Sequence, residues 1–496
     1  MCGIIAISGT VGSAYEVFFG LMNLQHRGQD GAGILTVDGK DPPGFHLQKG
    51  SGLIDNVFSE RSFKTLKGRA ALGHSRYATV GRNDPNLLQP FLDSESGIGL
   101  GHNGNIVNFY QLREKWLNTE DSRNRQINSD SQMILRLLAD HLKDGEGKKT
   151  LSASEELVLN ADTMFSAIGK LMDDLIGSYS VVGLTKNGDL FGFRDPHGIR
   201  PLAMGKKKTE EGETVYALAS ESVALRFLGF NEIEELGTGE GVFISHDGKV
   251  ERKVIKEEST SPCMFEWVYF ARVESEFAGQ SVYKARFRLG LLLAEQLKAQ
   301  GIEADVVVPV PETSRASAIA ISEAMGIPFR ELLIKNRYVN RTFILDDQQT
   351  RQEAIRRKLF PIIDEFEGQR CLIVDDSIVR GNTAQQLVRL VRQSGAKEIT
   401  LVSTCPPISH PCYYGIDFPS ASELVAYNRT DEQIAKELGA DKVVFQSIEG
   451  LKEALGQKNL CTGCLTGEYP TSVADGGAFE EQRLLDRRDK VKEPSC

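Results

Sequence analysis

Residues Arg370 to Thr383 read RCLIVDDSIVRGNT, and this stretch decides the fold of the second half of the chain. Cys371, Leu372, Ile373 and Val374 form an apolar run that ends in two adjacent acids, Asp375 and Asp376. Ser377, Arg380, Gly381, Asn382 and Thr383 follow as a small polar loop. Ala384, Leu387, Val388 and Val391 then recur at helical spacing, and Gly395 stands where that helix should stop. The order is buried strand, acidic pair, small-residue loop, helix. In an open parallel sheet, ligands bind just beyond the carboxyl ends of the strands. A small-residue loop that opens a helix aims backbone N–H groups at an anion, most often phosphate. Carboxylates repel phosphate but suit ribose hydroxyls, or a Mg2+ ion that a pyrophosphate brings with it. An acidic pair alone would fit a Mg2+-only site. The adjoining loop adds the sugar phosphate.

Working outward, the texture from Tyr283 onward alternates. A helix over Tyr283–Ala299 leads to a strand at Val306–Val308, a helix over Ser314–Met325, the central strand, and another strand at Ile399–Val402. Strands alternating with helices predict a parallel sheet. From Met1 to about Ser261 the character differs: short β-like runs with frequent glycines. Examples are Ile4–Ile7, Ala70–Gly73, Ile98–Leu100, Val181–Leu184, Leu190–Phe193 and Val215–Ala219. Helical patterns interrupt them near Ser129–Leu142 and Thr163–Leu175, which predicts face-to-face sheets with helices outside. The charged, Ser/Thr-rich Asp247–Ser261 reads as a linker, and the tail from Asp475 as a charged surface extension.

With 496 residues the chain needs two or three cores. A hydrophobic share of 41% and a charged share of 25% are those of a globular protein. No apolar run approaches the ~20 residues of a membrane span, and the start lacks a secretory pattern. A formal net charge of −10 argues against a nucleic-acid partner. Eight cysteines in this length make no disulfide scaffold, so a reducing cytoplasm is expected.

The string at Asp375–Thr383 resembles the phosphoribosyl pyrophosphate (PRPP) signature of type I phosphoribosyltransferases. The resemblance implies that Asp375, Asp376, Ser377, Arg380, Gly381, Asn382 and Thr383 hold PRPP. It places the pyrophosphate against VVVPVPETS (Val306–Ser314), with Thr313, Asp375 and Asp376 toward Mg2+. Thr313 or Ser314 would otherwise be a plain helix cap. KNRYVNRTF (Lys335–Phe343) then resembles the closing lid, with Lys335 on PRPP and Arg337 and Arg341 adding positive charge. Asn340 stands where relatives have glycine. RRKL (Arg356–Leu359) continues the basic region.

At the other end, Cys2 follows Met1 directly. Loss of Met1 would free an α-amine of pKa near 7.7–8.0, able to serve as the base for its own thiol. MCGI, QHRGQDGAG (Gln25–Gly33), HSRYATVG (His74–Gly81), GHNGNI (Gly101–Ile106) and NSDSQ (Asn128–Gln132) together resemble the glutaminase domain of the N-terminal-nucleophile amidotransferases. HNG by itself is a turn string. The resemblance implies a four-layer αββα sandwich with Cys2 as nucleophile. It makes the Asn103 side chain and Gly104 N–H the oxyanion donors. Arg76 and Asp130 would hold the glutamine carboxylate and ammonium. Arg27 resembles another glutamine-site position, against the alternative of a structural ion pair. Gln132 stands where relatives often have glutamate. RDPHGIRPL (Arg194–Leu202) and ASES (Ala219–Ser222) match as framework.

Together the halves resemble glutamine-dependent phosphoribosyltransferases of de novo purine synthesis. That implies residues 2–255 as the amidotransferase domain, 256–470 as the phosphoribosyltransferase domain, and 471–496 as a tail. Glutamine would be hydrolysed at Cys2, and its ammonia would displace pyrophosphate from PRPP to give 5-phosphoribosylamine. Such enzymes are homotetramers or homodimers inhibited by purine nucleotides. Cys263, Cys412 and the CxxC pair Cys461 and Cys464 resemble the ligands of a [4Fe-4S] cluster in one branch, with zinc or unligated thiols as alternatives. The start, lacking a propeptide before Cys2, resembles the cluster-free branch. Two other readings compete. A glucosamine-6-phosphate or asparagine synthetase would share the Cys2 half but lack VDDSIVRGNT. A purine-nucleotide sensor would keep the loop without a complete glutaminase site.

Overall fold

The computed structural model describes residues 1–38, 44–78, 84–118, 127–144, 157, 159–336, 359–418, 420–474, 476–477 and 481. Two antiparallel sheets stack in the first half. One has seven strands, ordered Glu232–Glu235, Ala203–Lys208, Thr214–Ala219, Gly3–Ser8, Ala70–Arg76, Gly31–Val37 and Phe45–Ser51. The other has six: Val250–Val254, Glu240–Ile244, Leu190–Arg194, Gly177–Thr185, Ile98–Ile106 and Phe91–Asp93. Their central strands are buried on both faces, because each sheet is covered twice. Ile4, Ala6, Leu35, Leu72, Val182, Leu190 and Leu218 fill the space between the sheets. Ile5 and Ile7, pointing the other way by the two-residue period, pack under the Ser13–Asn23 helix with Val17 and Leu21. On the far side the Asp130–Asp144 and Ala161–Asp174 helices cover Leu100, Tyr179, Val181 and Phe193. The layers run helix, sheet, sheet, helix, as the resemblance implied.

The second half holds a four-stranded parallel sheet in the order Val306–Pro309, Arg370–Asp375, Glu398–Ser403, Lys442–Phe445. Cys371 and Ile373 face the Asn382–Gln393 helix through Leu387, Val388 and Val391. Leu372 and Val374 face the other side, toward Leu293 and Leu297 of the Val282–Ala299 helix and Ile321 of Arg315–Met325. The quoted apolar run is unbroken because both faces are covered.

Two expectations change. Asp247–Ser261 is no simple linker: Val250–Val254 is an edge strand paired with Glu240–Ile244. Its charges hid it, yet charged side chains are what keeps an edge from pairing further. Here Arg252 Nε donates to Glu240 Oε1 at 2.7 Å. The other is HNG, which reads locally as a turn but lies inside the Ile98–Ile106 strand. No helix among the described residues is long and apolar enough to cross a membrane.

Candidate active site

Cys2 immediately precedes the Gly3–Ser8 strand, whose pairing with Ala70–Arg76 sets Gly3 opposite Ser75. That register delivers Arg76 and Tyr77 to the nucleophile, and the Tyr77 N–H lies 3.5 Å from Cys2 Sγ. The Cys2 backbone N–H donates to Asn103 Oδ1 at 3.0 Å. This bond turns the Asn103 amide so that its buried Nδ2 has no hydrogen-bond partner among the described residues. A buried unpaired donor is costly, and this one belongs to the side chain that accepts from the Cys2 N–H. Gly104 follows at φ +154, and a Cβ there would meet the Ser178 carbonyl oxygen at 2.0 Å, so only glycine fits.

A cavity of about 100 Å3 opens here, lined by Met1, Cys2, Arg76, Gly104, Asp130 and Gly415 among others. Burial lowers the Arg76 pKa, and the surrounding Cys2, Asp30, Asp84 and Asp130 side chains oppose the shift. Asp130 opens its helix and accepts from the Ile106 N–H at 3.3 Å and the Ser131 N–H at 2.7 Å. Gln132 completes a helix cap, its Oε1 accepting from Asn128 and Ser129 N–H groups at 2.8 and 3.1 Å. The departure at this position therefore has a structural use, since Gln serves in a capping box as Glu does. Burial pushes the Met1 amine down to about 5. Arg27 is absent from the cavity lining. It is fully buried and paired with Glu221 and, at 2.6 Å, with Glu266 Oε2, the ion-pair alternative raised above. Gln89, His102 and Ser131 form a support that sequence reasoning missed. Gln89 Oε1 accepts from the His102 N–H at 2.8 Å, and Ser131 Oγ lies 3.0 Å from His102 Nδ1. These residues are scattered over more than 40 positions with no spacing signal.

At the second site the Arg370–Asp375 strand ends in the acid pair. Asp375 is buried and Asp376 half-buried. The Asp375 Oδ1 accepts from the Asp376 N–H at 2.9 Å, and Ser377 Oγ donates to Asp376 Oδ1 at 2.7 Å. Burial and the neighbouring charge raise Asp375 well above the ordinary carboxylate range. Burial pushes Asp376 up to about 6, opposed by Ser377, Arg286 and a hydrogen bond with Thr313. Thr313 therefore stands near Asp376. Gly381, at φ +80, precedes the Asn382–Gln393 helix, and Asn382 and Thr383 are exposed at its start. Arg380 lies 3.5 Å from Glu423. Lys335 is exposed at the end of a short hairpin strand, Leu333–Lys335. Arg337, Asn340, Arg341 and residues 356–358 lie outside the described residues.

Cys263, Cys412, Cys461 and Cys464 are buried in one core cluster, and the backbones of Cys263 and Cys461 pair as a short parallel bridge. All four are free thiols. Burial pushes Cys263 up to about 11 and Cys461 and Cys464 well above the usual thiol value. Among the described residues no group of three or more His, Cys, Asp or Glu side chains is arranged to hold a metal ion. Arg200, fully buried, stands beside this group: burial opposes its charge, and Cys263, Glu266 and Cys412 outweigh that.

The two halves meet through this region. Asn105 Nδ2 donates to the Tyr413 carbonyl at 2.8 Å and Ser178 Oγ to the Tyr414 carbonyl at 3.0 Å. Gly415 packs so closely on Gly104 that a Cβ would lie 2.9 Å from its carbonyl oxygen.

A sandwich with a thiol at its amino terminus, joined to a parallel sheet with an acid pair and phosphate loop, defines a glutamine amidotransferase fused to a phosphoribosyltransferase. Family models agree: the glutamine amidotransferase domain matches residues 74–227 and the phosphoribosyl transferase domain residues 283–417. The chain is 40% identical over 501 residues to the amidophosphoribosyltransferase of Escherichia coli, covering 99% of this chain and 97% of that one. It is 38% identical to the Saccharomyces cerevisiae enzyme of that name, covering 99% and 96%. A solved structure of the Bacillus subtilis glutamine PRPP amidotransferase, complexed with ADP and GMP, superposes with a TM-score of 0.81 at 35% identity, covering 95% of this chain and 98% of that one. The chain belongs to the amidophosphoribosyltransferase family, pentosyltransferases of purine biosynthesis with glutamine amidotransferase activity.

Proposed function

We propose that residues 2–255 hydrolyse glutamine at Cys2 and residues 256–470 use the ammonia to convert PRPP to 5-phosphoribosylamine, with 471–496 as a tail. The observation that supports the first step is the Asn103 amide, whose Oδ1 accepts from the Cys2 N–H at 3.0 Å and whose buried Nδ2 has no partner among the described residues. Met1 lines the same cavity, so its removal both enlarges the cavity and frees the Cys2 amine. That amine takes the thiol proton as sulfur attacks the amide carbon. Asn103 Nδ2 and the Gly104 N–H receive the oxyanion. The C–N bond breaks, the proton leaves with ammonia, and water then hydrolyses the thioester to glutamate. Arg76 and Asp130 hold the two ends of the amino acid, and Arg27 braces the site from behind.

At the second site Asp375 and Asp376 hold the ribose hydroxyls. Ser377 to Thr383 cradle the 5-phosphate, and Lys335 reaches the pyrophosphate. Two carboxyl groups whose pKa burial raises, with the Thr313 hydroxyl near them, are an all-oxygen set that would suit Mg2+. An ion held by Asp375, Asp376 and Thr313 would supply positive charge to the departing pyrophosphate. Cys263, Cys412, Cys461 and Cys464 are the residues that would hold a [4Fe-4S] cluster, a reading that rests on the family resemblance and on the burial of all four thiols in one core; no step runs through it. The assembly is a cytoplasmic homotetramer or homodimer, inhibited by purine nucleotides.

The test is pyrophosphate release from PRPP and Mg2+ with glutamine or with ammonium. Cys2→Ala should lose the glutamine reaction by more than about a thousandfold and keep the ammonium one. Loss of both, or retention of both, overturns the division of labour.

A further inference from the structure

Gln89, His102 and Ser131 line the Cys2 cavity together with Asp130, and they come from three separate segments. Gln89 precedes the Phe91–Asp93 strand, His102 lies inside the Ile98–Ile106 strand, and Ser131 is in the first turn of the Asp130–Asp144 helix. All three are buried. The direction of the Gln89 amide is fixed by its neighbours. Its Oε1 accepts from the His102 N–H at 2.8 Å, so Nε2 is the end that donates, and it donates to Ser131 Oγ at 3.0 Å. His102 Nδ1 lies 3.0 Å from the same hydroxyl oxygen. Ser131 Oγ in turn donates to Asp130 Oδ1 at 3.3 Å.

A hydroxyl has one proton to give and two lone pairs. Gln89 Nε2 takes one lone pair, which leaves the proton and the other lone pair for His102 and Asp130. Burial lowers the His102 pKa, so the ring is neutral near pH 7. An ionised carboxylate is a stronger acceptor than a neutral imidazole. The Ser131 proton therefore goes to Asp130, and His102 donates from Nδ1. Two donors pin the hydroxyl, and the hydroxyl pins one carboxylate oxygen.

A count at Asp130 shows which oxygen is left for a ligand. Oδ1 takes both the Ser131 N–H, at 2.7 Å, and the Ser131 hydroxyl. Among the described residues the one hydrogen bond to Oδ2 comes from the Ile106 N–H, at 3.3 Å. Each carboxylate oxygen has about two acceptor sites, so Oδ2 is the oxygen that remains for a donor in the cavity. Helix capping does not account for the chain of bonds, because Gln132 already caps this helix through the Asn128 and Ser129 N–H groups.

We propose that Gln89 and Ser131 are positioning residues that set the Asp130 carboxylate for the α-ammonium of the substrate, and so make the first site selective for an amide that is also an α-amino acid. This rests on the reading of Asp130 as the partner of that ammonium. Neither residue touches a reacting atom. Gln89 fixes the Ser131 hydroxyl, and the hydroxyl holds Oδ1 so that Oδ2 meets the ligand.

The experiment uses the full chain and reads pyrophosphate release at saturating PRPP and Mg2+. The nitrogen source is glutamine or glutaramate, which has the same amide and carboxylate but no α-amine. The readout is the ratio of kcat/KM for glutamine to that for glutaramate. Where glutaramate turns over too slowly, its Ki against glutamine stands in for its kcat/KM. Gln89→Met and Ser131→Ala should each lower the glutamine preference about tenfold, through a raised KM for glutamine, because the lost bonds support a charged contact. Ser131→Thr keeps the hydroxyl and should hold the preference within about twofold of the natural chain. General loosening of the site would weaken both substrates by the same factor, so an unchanged preference in either Gln89→Met or Ser131→Ala overturns the inference. Thermal unfolding and the ammonium-driven rate check the fold. If Gln89→Met does not fold, Ser131→Ala against Ser131→Thr decides alone, and equal preferences in the two overturn the inference. A natural chain that shows no preference between the two amides would be a different failure, that of Asp130 as the partner of the ammonium.

Discussion

Two buried groups of charge in this molecule are built on opposite plans. At the domain interface Arg27, Arg200, Glu221 and Glu266 alternate in sign, two cations against two anions, all but unexposed. Burial opposes ionisation of Glu221, and Arg27 and His26 outweigh it, holding the carboxylate well below the ordinary range. At the end of the Arg370–Asp375 strand two like charges sit side by side, and burial raises both. In the first group the fold has satisfied its charges internally. In the second it leaves the balance to something that arrives from solution. A paired network is architecture, and an unpaired one is a binding site.

The largest effect separating them should come from the acid pair. Asp376→Asn should lower pyrophosphate release by about a hundredfold or more with either nitrogen source, since a carboxylate is lost from the cation and ribose site. The same change should stabilise the ligand-free fold at pH 8. An acid whose folded value lies above its unfolded 3.8, here at about 6, binds more protons folded than unfolded, so stability falls as pH rises between those values. Removing the charge restores roughly 1–3 kcal/mol, measured by urea unfolding. A variant that is both inactive and less stable at pH 8 would break the contrast.

Arg27→Met should do the reverse. It leaves Glu221 with His26 and Ser275, and Glu266 with Arg200. Breaking a buried pair costs about 3–5 kcal/mol, seen as a lower urea midpoint, while ammonium-driven activity of surviving folded protein persists. The smallest effect is in pH. Glu221 has a depressed folded value, so its stabilisation is complete above its unfolded 4.5 and is lost as pH falls below it. Glu221→Gln should therefore unfold with a shallower dependence on pH below 4.5 than the natural chain. An identical acid limb would show that Arg27 and His26 give Glu221 no net benefit.

Much of this was legible in the linear sequence. Asn382–Gln393 buries Ala384, Leu387, Val388 and Val391, the residues the helical period selected, because one face of an amphipathic helix must meet the sheet. The central strand was legible because an unbroken apolar run before a polar loop has few other uses. Less visible was any residue whose role depends on a distant partner. Glu266 lies in an aromatic string that reads as plain core, and only folding brings Arg27 and Arg200 to it from opposite ends of the first domain. Arg286 reads as one more solvated charge on a helix until Trp267 and Ala271 close over it.

The division has one physical reason. The parallel sheet with its strand, loop and helix follows from local periodicity within a few dozen residues, and short motifs, through their resemblance to known families, carried the sandwich and both reactions. What the tertiary structure alone decided is contact between residues far apart in the chain. It seated Gly415 on Gly104, turned Asn103 with the Cys2 N–H, and sent Arg27 to Glu266 instead of the cavity. Periodicity carries no information about which buried charge will meet which, because that choice is made by the packing of complete domains.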